Sequence, residues 1–365
     1  MIRIFHPVGQ GAFYTEKFND FTLIYDCGSD KGKQFIEEEI PHVFLKKSVI
    51  DVLFISHLHD DHVNGIEFLL SNYSLKKLFL PLISNSEKIY LLIHNAMTSE
   101  RDNFIERLIW MPEELIKEKA LKGAPKLILV KPVTRIPFDQ DNVSIDTFRN
   151  LKSNIKSGIR IKQKKEDEWI FLPFNFQNKT RSAILVDELK KRSISIDNIN
   201  DFDKLWKDAS QQKQLIEAYN AVPGNLNTNS LVLYSGPEKG SKFGYWPYNT
   251  IPIHSFGSLL SWDAGCLYLG DYDANGKKGA QLIKNFQFYW NSIGTLQIPH
   301  HGSSLNYNPV LNSRKPVVSV ISAGYSNKYN HPHASTVSQI LENNGVPIFV
   351  NEHVGSRAVF EVYGI

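Results

Sequence analysis

Cysteine is almost absent: Cys27 and Cys266 are the only two in 365 residues. Each sits beside an apolar run, which predicts small buried side chains and argues against a disulfide framework or a thiolate metal site. No apolar segment approaches the roughly eighteen residues that a membrane span needs, so no membrane role is expected. The stretch from Met1 to Gly9 lacks the apolar core of a signal peptide and runs straight into a strand pattern. A cytoplasmic location is therefore the default expectation. Charge of one sign is also lacking, because 41 Lys and Arg against 38 Asp and Glu leave only +3. That balance argues neither for nor against a nucleic-acid surface. There is no internal repeat, no low-complexity tract and no signal for a Ser or Cys nucleophile.

What the chain does have is a full core and one dense polar stretch. Hydrophobic content of 42% with 12% aromatics suits one large domain, or one domain carrying an insertion. Val52-Leu-Phe-Ile55 is a short continuous apolar run, as in a strand buried on both faces. It leads into His57-Leu-His59-Asp-Asp61-His62, three histidines and two carboxylates within six residues. His57 and His59 are two apart, so in extended backbone they project to one side. Asp61 and His62 follow after a turn and can face a second point. Imidazole and carboxylate are ligands that Zn²⁺, Mn²⁺ and Fe²⁺ accept.

This stretch resembles the metal-binding signature of the metallo-β-lactamase superfamily. The resemblance implies an α/β fold, a four-layer αβ/βα sandwich with metals in the cleft between two sheets. It also implies that Asp26, which closes the strand Phe21–Tyr25, supports the metal-site loop without binding metal. Strands are expected at 2–5, 77–80, 230–234, 266–269, 295–298, 317–321, 346–350 and 357–363. Helices are expected over 31–46, 64–72, 277–287 and near 335–343. Between about Asn85 and Val222 the texture changes, with helical spacing over 86–98, 101–121, 184–192 and 203–219. Residues 1–84 and 223–365 are thus read as the hydrolase domain. Residues 85–222 are read as a largely helical insertion, a lid or a partner surface. Within it, Lys152 to Lys165 holds six basic residues and no acidic one, either a solvated face or a phosphate-contacting run. The aromatic stretch Phe243–Tyr248 is read as a connection.

Two more strand ends carry ligand-grade residues, Asp271 after Leu-Tyr-Leu-Gly270 and His300 after Gln-Ile-Pro299. Polar residues at strand ends on one edge are how an α/β scaffold builds a site. Between His300 and His301 the residues alone leave the ligand open, and the superfamily pattern favours His300. Pro299-His-His-Gly-Ser303, Asn327, His331-Pro-His333 and Val8-Gly-Gln-Gly11 are further similar to the hydrolase domain of the competence protein ComEC and its stand-alone relatives. That likeness spans the first 80 or so residues and everything after about 226. It departs at Pro7 and Ala12, where the family has Asp, and at Asn330, where it has Gly.

The expected ligands are His57, His59, Asp61, His62, Asp271 and His300, holding two divalent cations, Zn²⁺ or Mn²⁺. Many superfamily members carry a further His where this chain reads Asn225-Leu-Asn227-Thr-Asn229, so the first site is expected to be the weaker and to suit Mn²⁺. The resulting expectation is a hydrolase, a phosphodiesterase or nuclease, whose nucleophile is a hydroxide bridging the metals and oriented by Asp61. His301, His331 and His333 are candidates for contacting the phosphate or protonating the leaving oxygen. Two alternatives stand beside it: hydrolysis of a small ester, lactone or nucleotide signal, and an effector subunit active only in a complex. Nucleic acid and a protein docking on 85–222 are the corresponding partners. His6, His42, His94, His254 and His353 have no partner at ligand spacing.

Overall fold

The computed structural model describes residues 1–98, 101–133, 145–164, 168–176, 179–223, 230–238, 244–248, 263–313 and 317–363. Runs of β-branched, aromatic and leucine residues bounded by Gly, Pro and Asn fold as strands. The first ten are β1 (Ile2–Phe5), β2 (Phe13–Lys17), β3 (Thr22–Cys27), β4 (Val49–Phe54), β5 (Ser74–Pro81), β6 (Lys126–Val130), β7 (Ile145–Thr147), β8 (Asn154–Ile155), β9 (Arg160–Lys162) and β10 (Trp169–Phe176). They are followed by β11 (Ser230–Pro237), β12 (Gly244–Tyr248), β13 (Gly265–Tyr268), β14 (Ile293–Gln297), β15 (Val317–Ser322), β16 (Gly345–Val350) and β17 (Ala358–Tyr363). Among these, one sheet runs β12-β17-β1-β2-β3-β4-β5-β6-β8 and the other β16-β15-β14-β13-β11-β10-β9-β7. Both are mixed: β3 to β6 with β8, β13 to β16, and β7 with β9 pair in parallel, and the remaining pairs are antiparallel.

The alternation of side chains across each strand decides the layering. Tyr25, Val52, Phe54 and Phe79 of the first sheet share a buried core with Leu231, Leu233, Tyr268 and Val320 of the second. Their alternates Ile24 and Leu53 pack outward under α1 (Lys33–Val43), α3 (Ile66–Asn72) and α4 (Asn85–Thr98). On the other side, Leu267, Leu296 and Ile321 pack against α10 (Lys277–Asn285) and α11 (Ala334–Glu342). Helix, sheet, sheet, helix is the four-layer αβ/βα sandwich. The two sheets are also joined by polar groups: Glu16 accepts from Arg3 Nε at 2.7 Å and from Tyr268 OH at 2.9 Å, all three buried. No helix among the described residues is long and apolar enough to cross a membrane.

The middle of the chain is not helical alone. Residues 85–222 do supply helices, α4, α5 (Asn103–Trp110), α6 (Pro112–Lys119), α7 (Lys179–Lys191), α8 (Ile199–Lys207) and α9 (Ala209–Asn220). The helix expected over 101–121 is two, broken where Pro112 enters at Met111. The same stretch also contributes β6 and β8 to one sheet and β7, β9 and β10 to the other. β10 pairs with β11 along eight residues. Among the described residues, 85–222 thus joins its helices to strands of both sheets. The basic run is likewise largely spoken for: Lys162 is buried against Glu238 at 2.7 Å, Arg160 meets the same carboxylate at 3.0 Å, and Lys164 meets Asp20 at 3.2 Å. Lys165 lies outside the described residues. Residues 244–248, read as a connection, form the edge strand β12.

Candidate metal centre

β4 ends at Phe54, and the backbone then carries Ser56 to His59 across the mouth of the cleft into a short helix, α2 (Asp60–Val63). The loop is clasped from two sides. Ala12 N donates to Asp61 O at 3.2 Å and Gly65 N to Cys27 O at 2.9 Å. Gly28 has backbone for a neighbour: a Cβ there would lie 2.5 Å from Asp61 C and 2.6 Å from His62 N. From the second sheet, the end of β13 brings Asp271 and the end of β14 brings His300 and His301. Gln297 ties these ends, accepting from Leu269 N and Gly270 N at 2.7 Å and donating to Ile298 O.

The centre of the site is Asp271, which is 2% exposed. Its Oδ2 lies 3.5 Å from His57 Nε2 and 3.8 Å from His300 Nε2, and its Oδ1 lies 3.4 Å from His62 Nε2 and 3.9 Å from His301 Nε2. Asp61 Oδ2 is 3.3 Å from His301 Nε2 and 3.8 Å from His62 Nε2. These separations are long for hydrogen bonds. They fit two ligands of one cation, since tetrahedral ligands bound at about 2.1 Å lie ~3.4 Å apart. His57 Nε2, His62 Nε2, His301 Nε2 and Asp271 Oδ1 are all buried with no hydrogen-bond partner. Four such atoms facing one another demand something between them. His57, His62 and Asp271 form one group of converging ligand atoms, and Asp61, His62 and His301 a second.

Hydrogen bonds behind the imidazoles set which nitrogen faces inward. Asp26 Oδ1 accepts from Ser56 N at 2.6 Å, and its Oδ2 accepts from Ser56 Oγ at 2.6 Å and from His62 Nδ1 at 2.8 Å. Having given its proton to Asp26, Ser56 Oγ accepts from His57 Nδ1 at 2.8 Å. His301 Nδ1 donates to Ser322 O at 2.8 Å. Asn306 donates to Asp271 O, so its Oδ1 accepts from His300 Nδ1 at 2.8 Å. All four rings are thereby held as the tautomer whose Nε2 carries a lone pair toward Asp271, the arrangement a metal ligand requires. Asp26 stands behind the site and orients it.

Charge reinforces this. Burial pushes the Asp271 carboxyl up, but His300, His62 and His57 together hold it well below the usual carboxylate range. Burial likewise opposes the ionisation of Asp61, and His62 and His301 overcome it. Burial disfavours the charged form of His62, yet Asp61, Asp271 and Asp26 push its pKa well above the usual value.

The expected residues do not all converge. His301, expected to contact substrate, belongs to a ligand group, and His300, favoured as the ligand, belongs to neither. The reason is backbone: His300 and His301 both take left-handed conformations, φ 47° and 55°, which turn the second imidazole inward. Two such non-glycine residues in succession store ~1–3 kcal/mol each, strain that clusters at functional sites. His59 also falls outside both groups, its ring 4.5 Å from that of His57. His331 lines the rim, its ring 5.3 Å from His300, while His333 Nδ1 accepts from Ser304 N at 2.9 Å. Asn225, Asn227, Asn229 and His254 lie outside the described residues. Sequence reading missed His94, whose ring lies 5.2 Å from His59; it is remote along the chain, and no spacing rule reaches it.

Two sheets enclosing a cleft, with HxHxDH at the end of one parallel strand and a shared buried Asp opposite, decide the architecture. The fold is that of the metallo-β-lactamase superfamily. A family model described as anti-Pycsar protein Apyc1 matches residues 11–102, which include β2 to β5 and the whole His57–His62 loop. Ribonuclease J of Mycoplasma genitalium is 28% identical over 108 residues, 28% of this chain and 18% of that protein. Ribonuclease Z of Shouchella clausii is 26% identical over 185 residues, 49% of this chain and 57% of that protein. The chain thus spans a fifth to just over half of the length of these relatives. Similar solved structures include human tRNase Z, short form, with a TM-score of 0.41 at 10% identity, covering 96% of this chain and 92% of that one. The metallo-β-lactamase fold protein YhfI of Bacillus subtilis gives 0.36 at 9% identity, covering 99% and 98%.

Proposed function

We propose that the protein is a metal-dependent phosphodiesterase acting on nucleic acid, with RNA the favoured substrate. The observation that carries this is Asp271, one buried carboxylate whose two oxygens face different imidazoles with inward lone pairs. One divalent cation would be held by His57 and Asp271 Oδ2, with His59 and His300 next to them. The other would be held by Asp61, His62, His301 and Asp271 Oδ1. Asp61 and Asp271 give the second set two carboxylate oxygens against one at the first, so the second suits Mn²⁺ better and the imidazole-rich first suits Zn²⁺. Cations in this site supply Lewis acidity and bring the pKa of water toward neutrality. Around them, Asp61 would orient the attacking water, and His331 and His333 are the candidates for protonating the leaving oxygen. The protein relatives named ribonucleases favour RNA. The finer likeness to ComEC-type hydrolases rests on Pro299–Ser303 and His331–His333, on the same side of the cleft.

The test combines metal analysis with turnover. Protein purified without chelator should carry more than one equivalent of divalent metal, and should cleave both bis(p-nitrophenyl) phosphate and single-stranded RNA with added Mn²⁺. Asp271→Ala should lose metal from both positions and at least about a thousandfold in rate, as removal of a central catalytic element does. Wild-type turnover in that variant would refute the shared carboxylate. Inactivity of the wild type until another protein is added would move the chain to the effector reading.

A further inference from the structure

The loop after β15 holds aromatic rings out in solvent beside the metal centre. Tyr325 is 80% exposed and Tyr329 51%, although burying such rings is what a fold ordinarily gains from. Their backbone is fixed by one side chain, Asn327. Its Nδ2 donates to Gly324 O at 2.8 Å and to His331 O at 2.6 Å. Its Oδ1 accepts from Tyr329 N at 3.2 Å and from His331 N at 2.9 Å. Two donors and two lone pairs are all that an amide has, and this one spends them all on a single loop. Tyr325 N is held as well, donating to Glu352 Oε2 at 2.8 Å. The rings are therefore presented by a fixed backbone.

Tyr329 is also the outer end of a column of rings. His331 is stacked on His301, a member of a ligand group, at 6.3 Å between ring centroids and 26° between planes. Tyr329 is stacked on His331 at 5.8 Å and 24°. The column thus leads from the metal centre to solvent. At its outer end the exposed Lys328 places Nζ 5.0 Å from the centre of the Tyr329 ring, and Lys328 makes no ion pair among the described residues. An exposed contact of this kind is weak, so the ammonium can leave the ring for a stronger partner. A ring face with a free cation beside it matches a nucleobase and its phosphate, because every base has a π-face and every link a negative charge. A base inside a duplex is covered on both faces by its neighbours, whereas one in a single strand can be splayed out onto a ring. A protein segment seated here would leave both the cation and the adjoining metal centre without a use.

We propose that the Tyr329 ring, continued inward by His331, is a stacking platform for one unpaired base of a single-stranded nucleic acid that crosses the metal centre, with Lys328 meeting an adjoining phosphate. This rests on the nucleic-acid reading above for its ligand, and the experiment separates the two. A fluorescein-labelled single-stranded oligoribonucleotide is titrated on ice with Mn²⁺-loaded wild type, Tyr329→Ala, Tyr329→Phe and Lys328→Ala. Anisotropy reports binding, a gel checks that the probe stays intact, and metal content is measured on each protein. Tyr329→Ala should bind about tenfold or more weakly at unchanged metal content, the worth of one stacked base. Tyr329→Phe keeps the ring and should bind as wild type does. Inorganic polyphosphate, which has the charge without the bases, should compete equally well against either Tyr329 protein and less well against Lys328→Ala. The same oligonucleotide annealed to its complement should bind wild type and Tyr329→Ala alike. No binding of the single strand by wild type, equal binding by Tyr329→Ala, or a loss in Tyr329→Phe as large as in Tyr329→Ala would each overturn the proposal, the second leaving the exposed rings to a protein contact. Cleavage is followed separately at higher temperature. A wild type that binds through Tyr329 but cleaves neither RNA nor bis(p-nitrophenyl) phosphate counts against the phosphodiesterase reading alone.

Discussion

Asp26 illustrates how a residue that touches no substrate can govern a site. Its two oxygens collect a backbone N–H, a serine hydroxyl and the Nδ1–H of His62. It therefore fixes two tautomers, directly for His62 and through Ser56 for His57. Supporting partners of this kind are typically worth ten- to a hundredfold in metal affinity. Asp26→Asn preserves the shape and removes the charge, so it should weaken cation affinity by about tenfold while leaving the fold intact. Competition against a chromophoric chelator measures this. Unchanged affinity in a folded variant would mean that the rings are held by packing alone. At this scale much was legible: HxHxDH is contiguous, and its chemistry follows from residue type and spacing. Which of His300 and His301 converges with Asp61 and His62 was not, because it turns on two left-handed residues that side-chain identity does not reveal.

Among elements, the strands that end at the site and the strands β1, β5, β16 and β17 were read well, and the short strands of the middle stretch were not. β4, β13 and β14 are apolar runs that stop at polar residues, a pattern visible without coordinates. β8 is two residues long, β7 and β9 three each, and β9 carries Arg160 and Lys162, so their sequence is indistinguishable from a basic loop until Glu238 is placed beside them. Only tertiary pairing makes them strands. The contact between the β3 turn and α2 belongs to this scale too. Because Gly28 lies directly on the backbone of Asp61 and His62, Gly28→Ala must push two elements apart. A loss of about 1–3 kcal/mol in stability is expected, as for other overpacked contacts. Weaker metal binding should accompany it, since the displaced element carries two ligands. Urea unfolding together with metal titration checks both; unchanged values would show that the loop has slack.

For the whole molecule, the ligand groups span the cleft, with His57, Asp61 and His62 on one sheet and Asp271 and His301 on the other. A cation held there binds the folded state and has no equivalent site in the unfolded chain, so removing it should lower stability. At free metal one hundred times its dissociation constant the linkage is worth about 2.7 kcal/mol. For a protein of this size that should be a drop of a few degrees in Tm on adding a chelator, restored by Mn²⁺ or Zn²⁺. Identical melting curves with and without chelator would count against ligands shared by both sheets. The division of the ligands also has a consequence in time. During synthesis the His57–His62 loop leaves the ribosome well before Asp271 and His301 exist, at translation rates of about 5–20 residues per second. Throughout that interval the nascent chain can offer a cation only part of either ligand group. If the finished protein cuts RNA, the messenger and ribosome that produce it are spared until the second sheet has closed over the first.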